Sequence, residues 1–243
     1  MTPLSSETRE RLMAVSTATL ATILFKRGLR SQFIQGVPRL SSKPLKMVGP
    51  AFTLRYIPAR EDIDTIDVFR DPEHPQRKAI ETVPPGHVLV MDCRGDHSAA
   101  SAGGILATRA MIRGCAGIVT DGGLRDADEI AELDMPTYCA SRSAPTNLTR
   151  HHAVDLNVPI GCGTAPVFPD DIMVGDGDGV IVLPRGIADE VALEGFNQDK
   201  LESFVLDEIR KGAPLRGTYP PSEETLKRFK ASLGDTGSGS GAI

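Results

Sequence analysis

The 243-residue chain contains no tryptophan, and aromatic residues make up only 5% of it. Stacking platforms for single-stranded nucleic acid need exposed rings, so that class of function is disfavoured. Basic residues do not dominate either: 27 Lys and Arg stand against 32 Asp and Glu, for a formal net charge of −5. Such a balance gives no broad basic footprint for duplex DNA or RNA, and no nucleic-acid partner is expected. No apolar run approaches the roughly 18 residues that span a bilayer, so no membrane is expected. The first residues, MTPLSSETRERL, are polar and lack the apolar core of a secretion signal. Cysteine is scarce: Cys93, Cys115, Cys139 and Cys162 form no C-x-x-C pair, and each lies in or beside an apolar run. That pattern predicts reduced thiols packed in the core of a cytoplasmic protein, not a disulfide or zinc framework.

What the chain does have is glycine (24) and proline (18), the mark of a turn-rich fold, on an ordinary globular background of 40% hydrophobic and 24% charged residues. Helical spacing of Leu12, Val15, Leu20, Ile23 and Leu24 predicts one helix over Glu7–Arg27, capped by Ser5 or Ser6 and closed by Gly28. A β region follows from Leu45 to Ile57, then a buried strand over His87–Cys93 after the turn Pro84-Pro85-Gly86. Gly104–Arg113 reads as a helix and Ala116–Thr120 as a strand. Short β pieces recur at Thr137–Cys139, Val158–Gly161, Ile172–Val174 and Val180–Leu183. A helix over Ile187–Lys211, with a break allowed at Gly195, precedes a last one over Glu223–Leu233 capped by Ser222. The alternation argues a mixed α/β fold with one core over residues 1–233. The glycine- and serine-rich residues 234–243 read as a flexible tail.

The informative stretch is Ser98–Ile130, SAASAGGILATRAMIRGCAGIVTDGGLRDADEI. Small residues from Ala99 to Gly104 run into a helix, leaving the N–H groups at its start approachable to a carboxylate or phosphate. A tight strand-to-helix turn accounts for the same glycines. The strand AGIVT then leads into Asp121-Gly122-Gly123-Leu124-Arg125-Asp126, where the glycine pair permits positive φ and a sharp turn. Arg125 suits a planar carboxylate or enolate, and Asp126 suits a magnesium-type ion that keeps several waters. A surface ion pair explains an R-D dipeptide equally well. One helix plus one strand separates Gly104 from Arg125, so both can return to one edge of the sheet and face one pocket.

Gly103-Gly104-x-Leu106, Gly114, Gly117, Val119, Asp121-Gly122-Gly123 and Arg125-Asp126, with Val158-Pro-Ile-Gly161, Val167-Phe-Pro169-Asp170 and Val174-Gly-Asp176-Gly-Asp178-Gly179-Val180, carry a resemblance. The sequence resembles the family of RraA proteins and 4-hydroxy-4-methyl-2-oxoglutarate (4-carboxy-4-hydroxy-2-oxoadipate) aldolases over roughly Leu12 to Pro184. The resemblance implies a β/β/α sandwich of the swivelling-domain type with flanking N- and C-terminal helices. It also implies a homotrimer or hexamer with sites at subunit interfaces. For the aldolase branch it implies a class II, divalent-metal-dependent lyase using Mg²⁺ or Mn²⁺ and acting on a small 2-oxo acid. The reaction would be retro-aldol cleavage of a 4-hydroxy-2-oxo acid to pyruvate, oxaloacetate decarboxylation, or both, through a metal-stabilised enolate. Carried over by position, Asp126 holds the metal and Arg125 steadies the enolate oxygen. The backbone of Gly103, Gly104, Ile105 and Leu106 binds the pyruvyl carboxylate.

The aldolases of the family carry an acid at the position of Gly104, in the arrangement D-x20-R-D. Here Asp121, Asp128, His97 or a C-terminal-helix glutamate of a neighbouring subunit are the candidates to replace it. The departure keeps two other readings open: a non-catalytic, RraA-like regulator that binds a ribonuclease, or a different reaction on the same platform, such as a hydrolase or isomerase. Elsewhere, Gly175-Asp-Gly-Asp-Gly179 lacks the EF-hand spacing and reads as a β-turn. His151-His152 has no carboxylate at metal-motif spacing and reads as solvated loop or helix. The charged run Pro58–Asp64 reads as a surface segment.

Overall fold

The structure, a computed structural model, describes residues 4–235. Its frame is one long strand, β1 (Met47–Pro58), which is shared by every part of the main sheet. The first half of β1 pairs antiparallel with β9 (Ile172–Gly175), which continues into β10 (Val180–Leu183). Its second half pairs antiparallel with β6 (His151–Leu156). On its other side it runs parallel to β2 (Val88–Asp92), followed in turn by β4 (Gly117–Leu124) and β5 (Thr137–Arg142). The short β3 (Ala100–Ala102) pairs parallel with the C-terminal end of β4. The result is a mixed α/β fold with a central mixed sheet and flanking helices.

Three apolar clusters hold the layers together. Helices α3 (Pro75–Thr82), α4 (Gly104–Ile112) and α5 (Ala127–Ala131) pack Ala79, Ile80, Ala107 and Ile130 onto Leu54, Leu89, Met91 and Ile118 of one sheet face. The opposite face, Val88, Val90 and Val119, is covered by the hairpin β7 (Ile160–Cys162) and β8 (Ala165–Val167), a second β layer. Helices α1 (Ser6–Ala14), α2 (Thr17–Lys26) and α6 (Ala188–Arg210) bury Leu12, Leu20, Ile23 and Val191 against β9 and β10.

Several local expectations are corrected. The single helix over Glu7–Arg27 is two: Val15 is extended (φ −84°, ψ 138°), and Ser16 caps the second helix by accepting the Thr19 N–H at 3.0 Å. The bonds from Asp176 to the N–H (2.8 Å) and hydroxyl (2.7 Å) of Thr17 hold that second start on the β9–β10 turn. Gly195 does not interrupt α6; a Cβ there would lie 3.0 Å from Val15, so the glycine admits α1 instead of breaking the helix. Gly122 and Gly123 make no turn. They lie within β4, where Cβ atoms would meet the Cys93 sulfur at 2.5 Å and the Ser143 Cβ at 2.6 Å, so they serve close packing. The last helix reaches Asp235, past the expected end at Leu233, with Ser222 accepting the Thr225 N–H at 3.3 Å. The predicted tail from 236 onward lies outside the described residues. All four cysteines are free and buried, and burial pushes the Cys139 thiol up to about 11. Among the described residues no helix is long and apolar enough to cross a membrane.

His151 and His152 are neither loop nor helix. They open β6, and strand alternation turns His151 fully inward against the Tyr56 ring, centroids 5.5 Å apart. His152 Nδ1 lies 2.7 Å from Asp64, whose carboxylate is also taken into the fold, so the charged run is a surface segment only up to that residue. Burial, with the Arg94 charge adding to it, lowers the pKa of His151 below its ordinary value of 6.5. The folded state therefore binds fewer protons than the unfolded chain just below that value. Stability contributed by neutral His151 is present above about pH 6.5 and is lost as the pH falls through it. Urea midpoints measured from pH 7.5 down to 5 are expected to drop on the acid side, and the drop is expected to be smaller in His151→Phe.

Candidate active site

β4 and β3 end side by side, and the segments that leave them meet. Asp126, the residue before α5, adopts the left-handed conformation (φ 53°, ψ 39°), one that Asp tolerates better than most residues. That single step turns the chain back, so that the Asp126 carboxylate lies over the start of α4 and accepts the Gly104 N–H at 2.9 Å. Gly103 is the helix cap and brings no side chain of its own, so Asp126 supplies the capping oxygen from another element. The N–H groups of Ile105 and Leu106 belong to the same first turn and have no intrahelical acceptor. Arg125 Nε stands 3.9 Å from the Asp126 carboxylate, with the two side chains 48% and 46% exposed, so both are open to a ligand.

Gly103, Ile105, Leu106, Arg125 and Asp126 line one cavity of about 100 Å³, and Gly104 lies directly behind it, bonded to Asp126. The six sequence-nominated residues are thus in one place. The glycines are needed there. A Cβ on Gly103 would sit 2.8 Å from both Arg125 Nε and Asp126 Oδ2.

The candidates to replace an acid at Gly104 fare differently. Asp121 is 4% exposed, and its carboxylate accepts the N–H groups of Cys93 (2.6 Å), Gly95 (2.9 Å) and Gly163 (3.2 Å); it is a clamp between β4 and two loops. Asp128 faces outward and pairs with Arg142 at 2.6 Å. His97 is exposed; Asp128 lines a neighbouring, more open cavity together with Arg125 and Asp126, and neither residue lines the first one. The carboxylate that comes to Gly104 is one the sequence reading missed. Glu129 Oε2 lies 2.9 Å, and Asp126 Oδ2 3.6 Å, from the point a Gly104 Cβ would occupy. The available signal was its i+3 spacing from Asp126, which puts both on one side of a helix start. Phe69, Gln76, Arg77 and Asn147, also around the cavity, carried no motif.

Among the described residues no three His, Cys, Asp or Glu side chains converge as a metal-ligand set. The donors at hand are the oxygens of Asp126 and Glu129 beside a cavity open to water. That set fits a hard cation that retains several waters, as Mg²⁺ does, and does not fit a structural zinc site.

A family model described as RraA-like, Aldolase/RraA, matches residues 17–182. A protein of Halalkalibacterium halodurans named putative 4-hydroxy-4-methyl-2-oxoglutarate aldolase is 34% identical over 167 residues, which cover 66% of this chain and 73% of that one. Protein DlpA of Legionella pneumophila is 30% identical over 72% of this chain but only 28% of its own length. Among solved structures, Streptomyces coelicolor RraAS2, described as an unusual member of the RNase ES inhibitor RraA protein family, superposes with a TM-score of 0.73. It is 30% identical, with 84% of this chain and 98% of that one covered.

The clamp role of Asp121 is checked by Asp121→Ala. One buried donor (Cys93) and two part-buried ones (Gly95, Gly163) lose their acceptor, and urea unfolding is expected to show a loss of about 2 kcal/mol. A variant of unchanged stability that has lost only its ligand-site function would return Asp121 to the candidates for proton handling.

Proposed function

This chain belongs to the RraA-like family, and on that premise we propose that it is a divalent-metal-dependent lyase that cleaves a 4-hydroxy-2-oxo acid to pyruvate or decarboxylates oxaloacetate. The observation that carries the reading is the convergence of Arg125, Asp126 and Glu129 on the open start of α4. Relatives named as 4-hydroxy-4-methyl-2-oxoglutarate aldolases support it.

Asp126 would hold Mg²⁺ or Mn²⁺, leaving most of the coordination sphere to water and substrate. Bound there, the ion supplies Lewis-acid polarisation of the 2-oxo group. The chain's residues do the rest. The N–H groups of Ile105 and Leu106, at the positive end of the helix, bind the substrate's carboxylate, the Gly104 N–H being taken by Asp126. Arg125 directs its guanidinium at the oxygen that gains charge as the C3–C4 bond breaks. Glu129 takes the proton of the C4 hydroxyl. C4 becomes a carbonyl, and the electron pair stays on C3 as pyruvate enolate, later protonated to pyruvate. Oxaloacetate loses CO₂ to the same enolate, so one site serves both reactions. The carboxylate over Gly104 thereby comes from α5 instead of from the residue at 104.

The assembly is part of the proposal. Ile105 and Ile112, seven residues apart on one face of α4, are 86% and 69% exposed at the cavity's rim and beyond. Such a face suits coverage by a second copy, consistent with a trimer or hexamer. Light scattering is expected to give a multiple of three chains, and a monomer would remove the interface from the site.

A second reading, a regulator that binds a ribonuclease, takes support from the description of the Streptomyces relative and from the glycine at 104. Turnover separates the two. Pyruvate release from 4-hydroxy-4-methyl-2-oxoglutarate or oxaloacetate is expected with Mg²⁺ or Mn²⁺ and not with EDTA. Arg125→Ala is expected to lower kcat by about 10²–10³-fold without changing the unfolding profile. Glu129→Gln is expected to slow aldol cleavage by about 10²-fold or more and to affect decarboxylation less, because only cleavage begins with a hydroxyl proton. Folded protein that turns over no 2-oxo acid, yet retains a ribonuclease from solution, supports the regulator.

A further inference from the structure

The cavity continues past Arg125 to side chains that the lyase chemistry leaves unused. Arg77 and Gln76 come from α3, Phe69 from the turn Ile66–Arg70, and Asn147 from the turn Asn147–Thr149. The Arg77 guanidinium lies over the Phe69 ring, 4.3 Å from its centroid, and among the described residues no carboxylate pairs with it. Burial lowers its pKa, and the charge of Arg125 adds to the effect. Two guanidiniums thus face one cavity, and only Arg125 has an acid beside it. Such a pair is electrostatically unfavourable until an anion enters.

Two further polar groups beside Arg77 are unpaired. Gln76 and Asn147 are each 3% exposed. Gln76 Nε2 donates to the Ser101 carbonyl at 2.6 Å, leaving Oε1 buried without a partner. Asn147 Oδ1 accepts from the Thr146 hydroxyl at 3.3 Å, leaving Nδ2 in the same condition. Buried unpaired polar atoms are uncommon in folded proteins, and both residues belong to the wall that carries Arg77.

We propose that Arg77 is the specificity-determining residue of this site: it takes a second carboxylate at the end of the substrate remote from the α4 start. The proposal rests on the lyase reading for the orientation of the substrate, and what it adds is the residue that recognises the second carboxylate. A planar guanidinium braced on an aromatic ring is preorganised for bidentate contact with a carboxylate, which an ammonium cannot reproduce.

The test compares binding of 2-oxoglutarate with that of 2-oxopentanoate, which matches it in chain length but lacks the second carboxylate. Calorimetry on the full chain with Mg²⁺ is expected to favour 2-oxoglutarate by about 10- to 100-fold. Arg77→Gln is expected to bring the ratio near one, and Arg77→Lys to leave it intermediate. A wild-type ratio near one, or an undiminished ratio in both variants with normal thermal unfolding, overturns the assignment. Carboxylate preference lost in Arg77→Gln, in a protein that cleaves no oxo acid, sinks the lyase reading and leaves Arg77 in place. Turnover indifferent to the second carboxylate does the reverse.

Discussion

The hydrogen bond from the Gly104 N–H to the Asp126 carboxylate is the joint on which the site depends. It ties the start of α4 to the end of β4, two points 22 residues apart along the chain, and it exists because Asp126 leaves the strand in a left-handed conformation. An extended residue there would carry Arg125 and Asp126 away from the helix start. A side chain at Gly103 would occupy the space of both. The geometry also makes the carboxylate do two things. It caps a helix whose own cap residue is a glycine, and it places a hard oxygen beside the remaining backbone donors, Ile105 and Leu106, and a guanidinium.

The electrostatics of the cavity follow from this joint. One wall carries the carboxylate of Asp126 at the positive end of α4, with Glu129 close to Gly104 beside it. The other carries Arg77, propped on Phe69, with Arg125 between the two. A cation on the first wall and an anion spanning both would offset charges that the protein leaves unbalanced. The same chain buries Asp121 under three backbone N–H groups at a strand position five residues earlier, where a carboxylate serves only to hold loops. Two aspartates on one strand end thus have different fates, set by how many donors surround each.

Much of the fold was legible because it rests on local pattern. Strands β1, β2, β4, β5, β9 and β10 and helices α4 and α6 follow from apolar periodicity bounded by glycine and proline. Less legible were elements whose form depends on neighbours. β6 begins with two histidines, and only pairing with β1 makes them a strand. Gly122 and Gly123 have the composition of a turn but lie in a strand crowded by Cys93 and Ser143. Ser16 divides the first helix because Asp176, far along the chain, binds Thr17.

The candidate site divides in the same way. Gly103 to Leu106, Arg125 and Asp126 were visible in sequence because they sit in two short motifs joined by one helix and one strand, a spacing that by itself returns the chain to one sheet edge. Glu129, Arg77, Gln76 and Asn147 were not, because no motif links them and only packing brings α3, α5 and the Asn147 turn to that edge. Sequence alone determined the backbone cradle and its adjacent cation and acid, since those depend on residues near in the chain and on glycine's missing side chain. Tertiary structure alone decided which carboxylate stands over Gly104 and which cation faces it across the cavity, since those depend on where separate elements come to rest.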